Sequence, residues 1–370
     1  MVAGSVLILT AGFGEGHNAA ARNLEAAFKE SHPGIRVAVH DIFSETYPWL
    51  SRVAQWSYKI AINRAPSVWS VFFHILDRAP LFTRGVGLLW RARKALDRKI
   101  VHLNADVVVS CFPGYGILLD SVRKRAGRPF TFVTMVTDSL TINSIWWRCS
   151  SDLFLLPNEP TARELEGVGI ARRRLKVTGF PVPLAFCSQE FVRVAPPEDG
   201  LWKVLYMVNS GHHLAVGIAR ALLALDNIAL TVTCGKDATL KQKLQTLGAE
   251  LDKPIELHGW TDQMPTLIRR SHVLISKAGG ATVQESLAAR TPMILTQVVP
   301  GQEEGNARLV VENEAGEIAR TPEEIAGAVH KMFEKSGSHF ARRYKAAARL
   351  SHPTGARDAA NFVASVCLKI

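Results

Sequence analysis

The chain has 370 residues, 47% hydrophobic and 21% charged, values ordinary for a folded soluble protein and long enough for two medium-sized domains. A formal net charge of +11 draws anionic partners, whether nucleic acid, anionic lipid or a phosphorylated substrate, without choosing among them. Five scattered cysteines (Cys111, Cys149, Cys187, Cys234, Cys367) with no CxxC pair argue against a zinc site or a disulfide framework and for reduced thiols in a cytoplasmic protein.

In chain order, Val6 to Leu9 reads as a buried strand, followed by a glycine turn and a helix from about Asn18 to Lys29. Further strands are expected at Ile35 to Ile42, Ala105 to Pro113, Phe130 to Asp138, Asp152 to Asn158 and Leu175 to Pro181. The second half repeats the theme at Lys203 to Asn209, Ile228 to Gly235, Ile255 to Trp260, His272 to Gly280 and Pro292 to Gln297. Continuous apolar strands separated by helices predict parallel sheets covered on both faces. Phe180 to Gly200 carries four prolines and no clean period, so it reads as a link. From Thr321 onward the chain is helical and basic, with one break at Ser351 to Gly355.

The expected fold class is α/β, with two Rossmann-like doubly wound domains facing a cleft. Residues 1–183 form the first domain, 184–200 the linker and 201–351 the second, with a C-terminal helix at about 352–370 packing back on the first. In such folds ligands bind beyond the carboxyl ends of the strands, so functional residues are sought just after strands. No stretch reaches the ~18–20 apolar residues of a spanning helix, and the N-terminus does not read as a signal peptide. Membrane contact is therefore expected to be peripheral.

The first turn, "GFGEGHNAAAR" (Gly12 to Arg22), admits three readings. A P-loop fails because His17-Asn18 stands where Lys-Ser or Lys-Thr is needed. A dinucleotide fingerprint is missed by one residue in its glycine spacing, although Asp41 supplies an acid at the end of the next strand. The third reading places His17 at a helix start, as a general base, with Gly14 and Gly16 letting a substrate approach the backbone. A histidine that merely caps the helix is the plainer alternative.

The most informative stretch is "SKAGGATVQESLAARTPMILTQVVPGQEEGN" (Ser276 to Asn306). A strand ends in Gly279-Gly280, and the following helix carries Thr282 and Glu285 on one face. A glutamate there can accept two hydrogen bonds from a ribose diol. Gln302, Glu303 and Asn306 cluster beyond the next strand, and amides with carboxylates suit polyhydroxylated sugars.

Together, strand–Gly-Gly–four residues–Glu and the Gln-Glu loop resemble the donor half of GT-B glycosyltransferases. "LTAGFGEGHNAAARNL", "VTDSLTINSIWWRCSSDLFLLPNEPTARELEGVGI" and "VTGFPV" resemble the branch of monogalactosyldiacylglycerol synthases and processive diacylglycerol glucosyltransferases, related more distantly to the muramyl N-acetylglucosaminyltransferase. The resemblance covers nearly the whole chain. It implies transfer of a hexose, galactose or glucose, from a uridine diphosphate (UDP) sugar to diacylglycerol, with inversion and without metal or other cofactor. It implies that Glu285 holds the ribose, that Gln302 and Glu303 hold the sugar, and that Gly279, Gly280 and Thr282 lie near the phosphates. His17 becomes the base, and Asp138 orients the acceptor or assists that base. Two departures stand out. Ser210-Gly211-His212-His213 replaces a glycine-rich diphosphate loop, where His212 could serve the phosphates, and Asn143 stands where many relatives have histidine.

Residues 47 to 99 are rich in aromatic and basic side chains, among them Trp56, Trp69, Phe72, Phe73, Phe82, Trp90, Arg91, Arg93 and Lys94. They read either as core aromatics with a solvated basic face or, with the resemblance, as an anchor on an anionic membrane surface at its cytoplasmic side. No motif supports nucleic-acid binding. The rivals kept open are a UDP-sugar transferase on another lipid or polyprenyl acceptor, a nucleotide-sugar epimerase, an NAD-dependent dehydrogenase and a non-catalytic lipid-surface protein.

Overall fold

The computed structural model describes residues 4–12, 14–64, 89–124, 129–187, 200–209 and 211–368. The chain divides into two units: Met1–Leu184 with Pro300–Gly305 and His352–Ile370, and Ala185–Val299 with Asn306–Ser351.

The first unit runs β1 (Ser5–Leu9), α1 (Glu15–Ser31), β2 (Arg36–His40), α2 (Ile42–Thr46), α3 (Pro48–Arg64), α4 (Trp90–Leu103), β3 (Val107–Ser110), α5 (Tyr115–Arg123), β4 (Thr131–Met135), β5 (Leu153–Leu156), α6 (Glu159–Gly167) and β6 (Leu175–Val177). All pairings are parallel, in the order β2-β1-β3-β4-β5-β6. The apolar runs form strands because every β1 and β3 residue is buried, as a sheet covered on both faces requires. In α1, Ala20, Ala21, Leu24, Ala27 and Phe28 recur at helical spacing and make the buried stripe.

The second unit runs β7 (Trp202–Met207), α7 (Ala215–Leu223), β8 (Ile228–Thr233), α8 (Ala238–Glu250), β9 (Ile255–His258), α9 (Met264–Arg269), β10 (Val273–Ser276), α10 (Gly280–Ala288), β11 (Met293–Leu295), α11 (Glu304–Glu312), β12 (Gly316–Ile318) and α12 (Pro322–Arg349). Its sheet is also parallel, ordered β12-β11-β10-β7-β8-β9. The short edge strand β12 was not expected from sequence, having three residues and little hydrophobic pattern. Helix α12 opens on a capping box, Thr321 with Glu324. It is interrupted at Lys335, Ser336 and Gly337, all left-handed, where a Cβ on Gly337 would strike the Trp202 ring. Trp202 stacks on Phe333 at 4.3 Å and meets Phe340 edge-on at 5.4 Å, so the break wraps one core tryptophan.

In each sheet the order reverses beside the first strand, at β1/β3 and at β7/β10. Loops leaving these neighbours at their carboxyl ends bound a crevice within each unit.

The last helix, α13 (Gly355–Leu368), packs on α1. Arg357 forms a two-pronged ion pair with Glu30, both contacts 3.0 Å, and His32 bonds Asn361 at 2.8 Å. Gly355 sits so tightly that a Cβ would overlap the Phe180 carbonyl. Gly355→Ala is expected to cost the first unit about 1–3 kcal/mol through overpacking. The loss would be read as a lowered thermal midpoint, and an unchanged midpoint would contradict it.

Candidate active site

In the first unit the site begins at the β1–α1 turn. Gly14 adopts φ 128° and ψ 146°, a region open essentially to glycine alone. A Cβ on Gly16 would meet nothing within 4 Å among the described residues. Thr10 donates its hydroxyl to the Asn18 side chain at 2.8 Å, and the Gly12 N–H reaches the Asp41 carboxylate at 3.1 Å. Asp41 also caps α2 through the backbone and hydroxyl of Ser44, at 2.9 and 2.7 Å. The acid that a dinucleotide reading assigns to a ribose is thus already spent on the fold.

His17 lies in the first turn of α1. Its Nδ1 is 2.9 Å from the Thr137 hydroxyl, and its ring meets Phe112 edge-on at 5.2 Å and Trp146 at 5.9 Å. The residue is half-buried, and desolvation lowers its pKa to about 4, against a smaller upward pull from a Cys111 backbone hydrogen bond. At neutral pH the imidazole is uncharged, as a proton acceptor must be. Asp138 follows Thr137 in the chain and accepts the Trp146 indole N–H at 2.7 Å. Burial raises its pKa to about 6, with the indole bond opposing.

Asn143 is buried, and its side-chain oxygen accepts from the Ile145 N–H at 3.1 Å. It thereby caps a one-turn 3₁₀ segment, Ser144–Trp146. Thr137, Phe112 and Trp146 were not singled out from sequence. The Asn-capped turn was the available signal for Trp146.

In the second unit, Gly279 caps α10 without a side-chain bond, and α7 likewise starts uncapped at Leu214. Thr282 places its hydroxyl 3.9 Å from the Met207 sulfur, tying α10 to the end of β7. Glu285 is half-buried, and among the described residues no hydrogen-bond partner is found for its carboxyl group. Desolvation pushes its pKa up to about 7. Gly211 is left-handed at φ 65°. The exposed His212 bonds Asp237 through Nδ1 at 2.8 Å, and Asp237 is fixed in turn as the N-cap of α8. On the same edge, just beyond β9, Trp260 is 74% exposed with the Lys236 ammonium 5.3 Å over its ring. Neither Trp260 nor Asp237 was singled out from sequence. The Asp before a helical run in "GKDATL" was a readable cap signal.

Gln302 is half-buried and Glu303 buried, on a segment that packs with the first unit, where Gly305 abuts the Ser139 carbonyl. Asn306 does not share that loop. It lies in α11, 3% exposed, donating to the Ala278 carbonyl at 3.2 Å and so bracing the turn before Gly279. Among the described residues no partner is found for its buried side-chain oxygen.

Of the aromatic and basic segment, Trp69, Phe72, Phe73 and Phe82 lie outside the described residues, as does Ser210 of the second unit. Trp56 and Trp90 are 65% and 51% exposed. Trp56 continues an exposed stripe of α3 with Trp49 and Val53, spaced one and two turns apart. Arg91 lies 5.4 Å over the Trp90 ring, Lys94 is exposed and Arg93 half-buried.

Comparison with known proteins agrees with this layout. Residues 17–182 match the family model described as monogalactosyldiacylglycerol (MGDG) synthase, and residues 215–360 match the glycosyltransferase family 28 C-terminal domain. A processive diacylglycerol beta-glucosyltransferase of Bacillus cereus (strain B4264) is 25% identical over 86% of this chain and 83% of its own. That of Bacillus subtilis (strain 168) is 27% identical over 88% of this chain and 86% of its own. The solved structure of Acinetobacter baumannii MurG superposes with a TM-score of 0.66, at 16% identity, covering 99% of this chain and all of that one (100%). The chain is a glycosyltransferase of GT-B fold.

A carboxyl group left desolvated and unpaired stores instability. Glu285 has a folded pKa above its ordinary value near 4.5, so folding is weakened as pH rises from that value through about 7. Glu285→Gln is expected to be more stable than the parent at pH 8 by about 1–3 kcal/mol. The gain should vanish below pH 4.5, where both forms are neutral. Thermal midpoints at the two pH values check the sign, and a lower midpoint at pH 8 would reverse the argument.

Proposed function

We propose that this glycosyltransferase moves a hexose from a UDP-sugar to the hydroxyl of 1,2-diacylglycerol, with inversion and without metal, at the surface of an anionic membrane on its cytoplasmic face. The activity of the Bacillus relatives, which span 86% and 88% of the chain, supports the acceptor and puts glucose ahead of galactose as the sugar. The observation that carries the chemistry is His17 in the first turn of α1, desolvated and held with Nδ1 2.9 Å from the Thr137 hydroxyl.

In the second unit, Glu285 accepts both ribose hydroxyls, which supply the hydrogen bonds it lacks. The uncapped first turns of α7 and α10 present N–H groups to the diphosphate, joined by His212 through Nε2, since Asp237 engages Nδ1. Trp260 offers a flat face for the base. Gln302 and Glu303, which belong to the first unit, are assigned to the sugar hydroxyls, and Asn306 to bracing the turn before Gly279. In the first unit, the acceptor hydroxyl gives its proton to His17 as its oxygen bonds the anomeric carbon. The bond from that carbon to the diphosphate breaks on the opposite side, and UDP leaves with the electron pair. An ionised Asp138 stabilises the imidazolium that forms.

Membrane attachment is assigned to the exposed α3 stripe and to the start of α4, where Trp90, Arg91 and Lys94 combine an indole with positive charge. Among the described residues no helix is long and apolar enough to cross a membrane.

Two experiments test the reading. Glu285→Ala should weaken UDP binding by calorimetry about tenfold to a hundredfold, the value of hydrogen bonds to a charged group. His17→Ala should bind UDP nearly as the parent does, yet lose about 10²–10⁴-fold in transfer from labelled UDP-glucose or UDP-galactose to diacylglycerol vesicles. Transfer at the parent rate would remove His17 as base. Separately, Trp49→Ala/Trp56→Ala should release the protein from vesicles containing anionic lipid while leaving UDP affinity unchanged. Undiminished vesicle binding would remove α3 as the anchor.

A further inference from the structure

One side chain joins the two ionisable groups of the first unit. Trp146 is 1% exposed, so it is buried and braced rather than offered to a substrate. Its ring lies 5.9 Å from the His17 imidazole, and its N–H donates to Asp138 at 2.7 Å. It stands at the end of the 3₁₀ turn that Asn143 caps, with its own N–H bonded to the Asn143 carbonyl at 3.0 Å. Phe112 closes on His17 from the loop after β3 at 5.2 Å, and Thr137 holds Nδ1.

We propose that Trp146 is the positioning residue of the first-unit site, fixing the His17 ring through a tilted ring contact and the Asp138 carboxylate with its indole N–H, so that one Asn143-capped turn sets both groups at once. The inference rests on the reading of His17 as base, but its central claim concerns a bond that exists without any substrate.

The physical consequence is a bias in ionisation. A donor on a carboxylate stabilises the charged form. Asp138 is pulled the other way by burial, to about 6, and Trp146 is the hydrogen bond that opposes it. Removing that N–H raises the Asp138 pKa further, so that less of it is ionised at neutral pH. A base as weak as His17, at about 4, needs a neighbouring anion when it takes up a proton. Among the other groups packed here, Cys111 after β3 is pushed up to about 12 and Tyr115 of α5 well above its usual value, so both stay protonated through pH 8. The acids bearing on Tyr115 are Asp41 and Glu45, before and within α2.

The test uses protein labelled with ¹⁵N-tryptophan. The chain has 8 tryptophans, and the Trp146 indole signal is the one absent from Trp146→Phe. In the parent, that signal should titrate with a midpoint near pH 6, and Asp138→Asn should abolish the titration. In transfer assays, Trp146→Phe keeps a ring against His17 and should move the acid limb of the kcat/KM profile to higher pH. The neighbouring Trp147→Phe should leave that limb in place. An indole signal flat between pH 5 and 7, or an unmoved acid limb in Trp146→Phe, overturns the proposal. If the parent shows no transfer, the functional reading fails, and the indole titration still decides this one.

Discussion

Parallel pairing is the constraint on which the rest depends. Every strand in both sheets runs the same way, so each connection within a sheet must cross back, through the 3₁₀ turn Ser144–Trp146 between β4 and β5 and through α-helices elsewhere, and every carboxyl end of a sheet opens on the same edge. At β1/β3 the order reverses and the connecting helices diverge, leaving the β1–α1 turn and the β3 loop side by side. His17 and Phe112 meet there although 95 positions separate them (112 − 17). At β7/β10 the same geometry brings Thr282 to Met207. Neither crevice needs a special device, because crossover topology supplies it.

What the topology does not supply is paired charge. Three groups in these crevices, His17, Asp138 and Glu285, are shifted toward their neutral forms, and desolvation is the largest cause each time. Elsewhere the chain treats its acids differently. Glu256 has Arg270, His258 and Thr231 around it and is lowered to about 2, and Glu30 is lowered by Arg357. The contrast separates groups that serve the fold from groups left available. Asp41 falls on the structural side, since its carboxylate ties the first turn to α2.

Much of this was legible in the sequence. Strands with four or more continuous apolar residues were found within a few positions, because burial on both faces leaves no room for polar alternation. The helix bearing His17 starts three residues earlier than expected, at Glu15, since glycine and acidic residues in a first turn carry little apolar signal. The edge strand β12 and the left-handed break in α12 were hidden for a common reason. Three residues of strand, or three of positive φ, are decided by tertiary contact, here Trp202 and the β11 edge, not by local preference. The candidate residues stood out by type, but their partners did not. Trp146 was quoted within a motif without being singled out, and Asn306 read as a sugar ligand when its amide braces the Ala278 turn.

The two departures noted in the sequence acquire physical content from these contacts. Asn143, one of those departures, is not idle. Its short side chain reaches the Ile145 N–H two residues on, the local bond that favours asparagine in turns, and so carries Trp146 into place. In the loop after β7, His212 borrows rigidity from Asp237, which is held as a helix cap. A glycine-rich loop offers anions its bare N–H groups; this one offers an imidazole on a fixed carboxylate. That arrangement exchanges backbone freedom for a side-chain donor. It needs α8 to begin where it does, because the Asp237 that orders the loop is the residue that starts that helix.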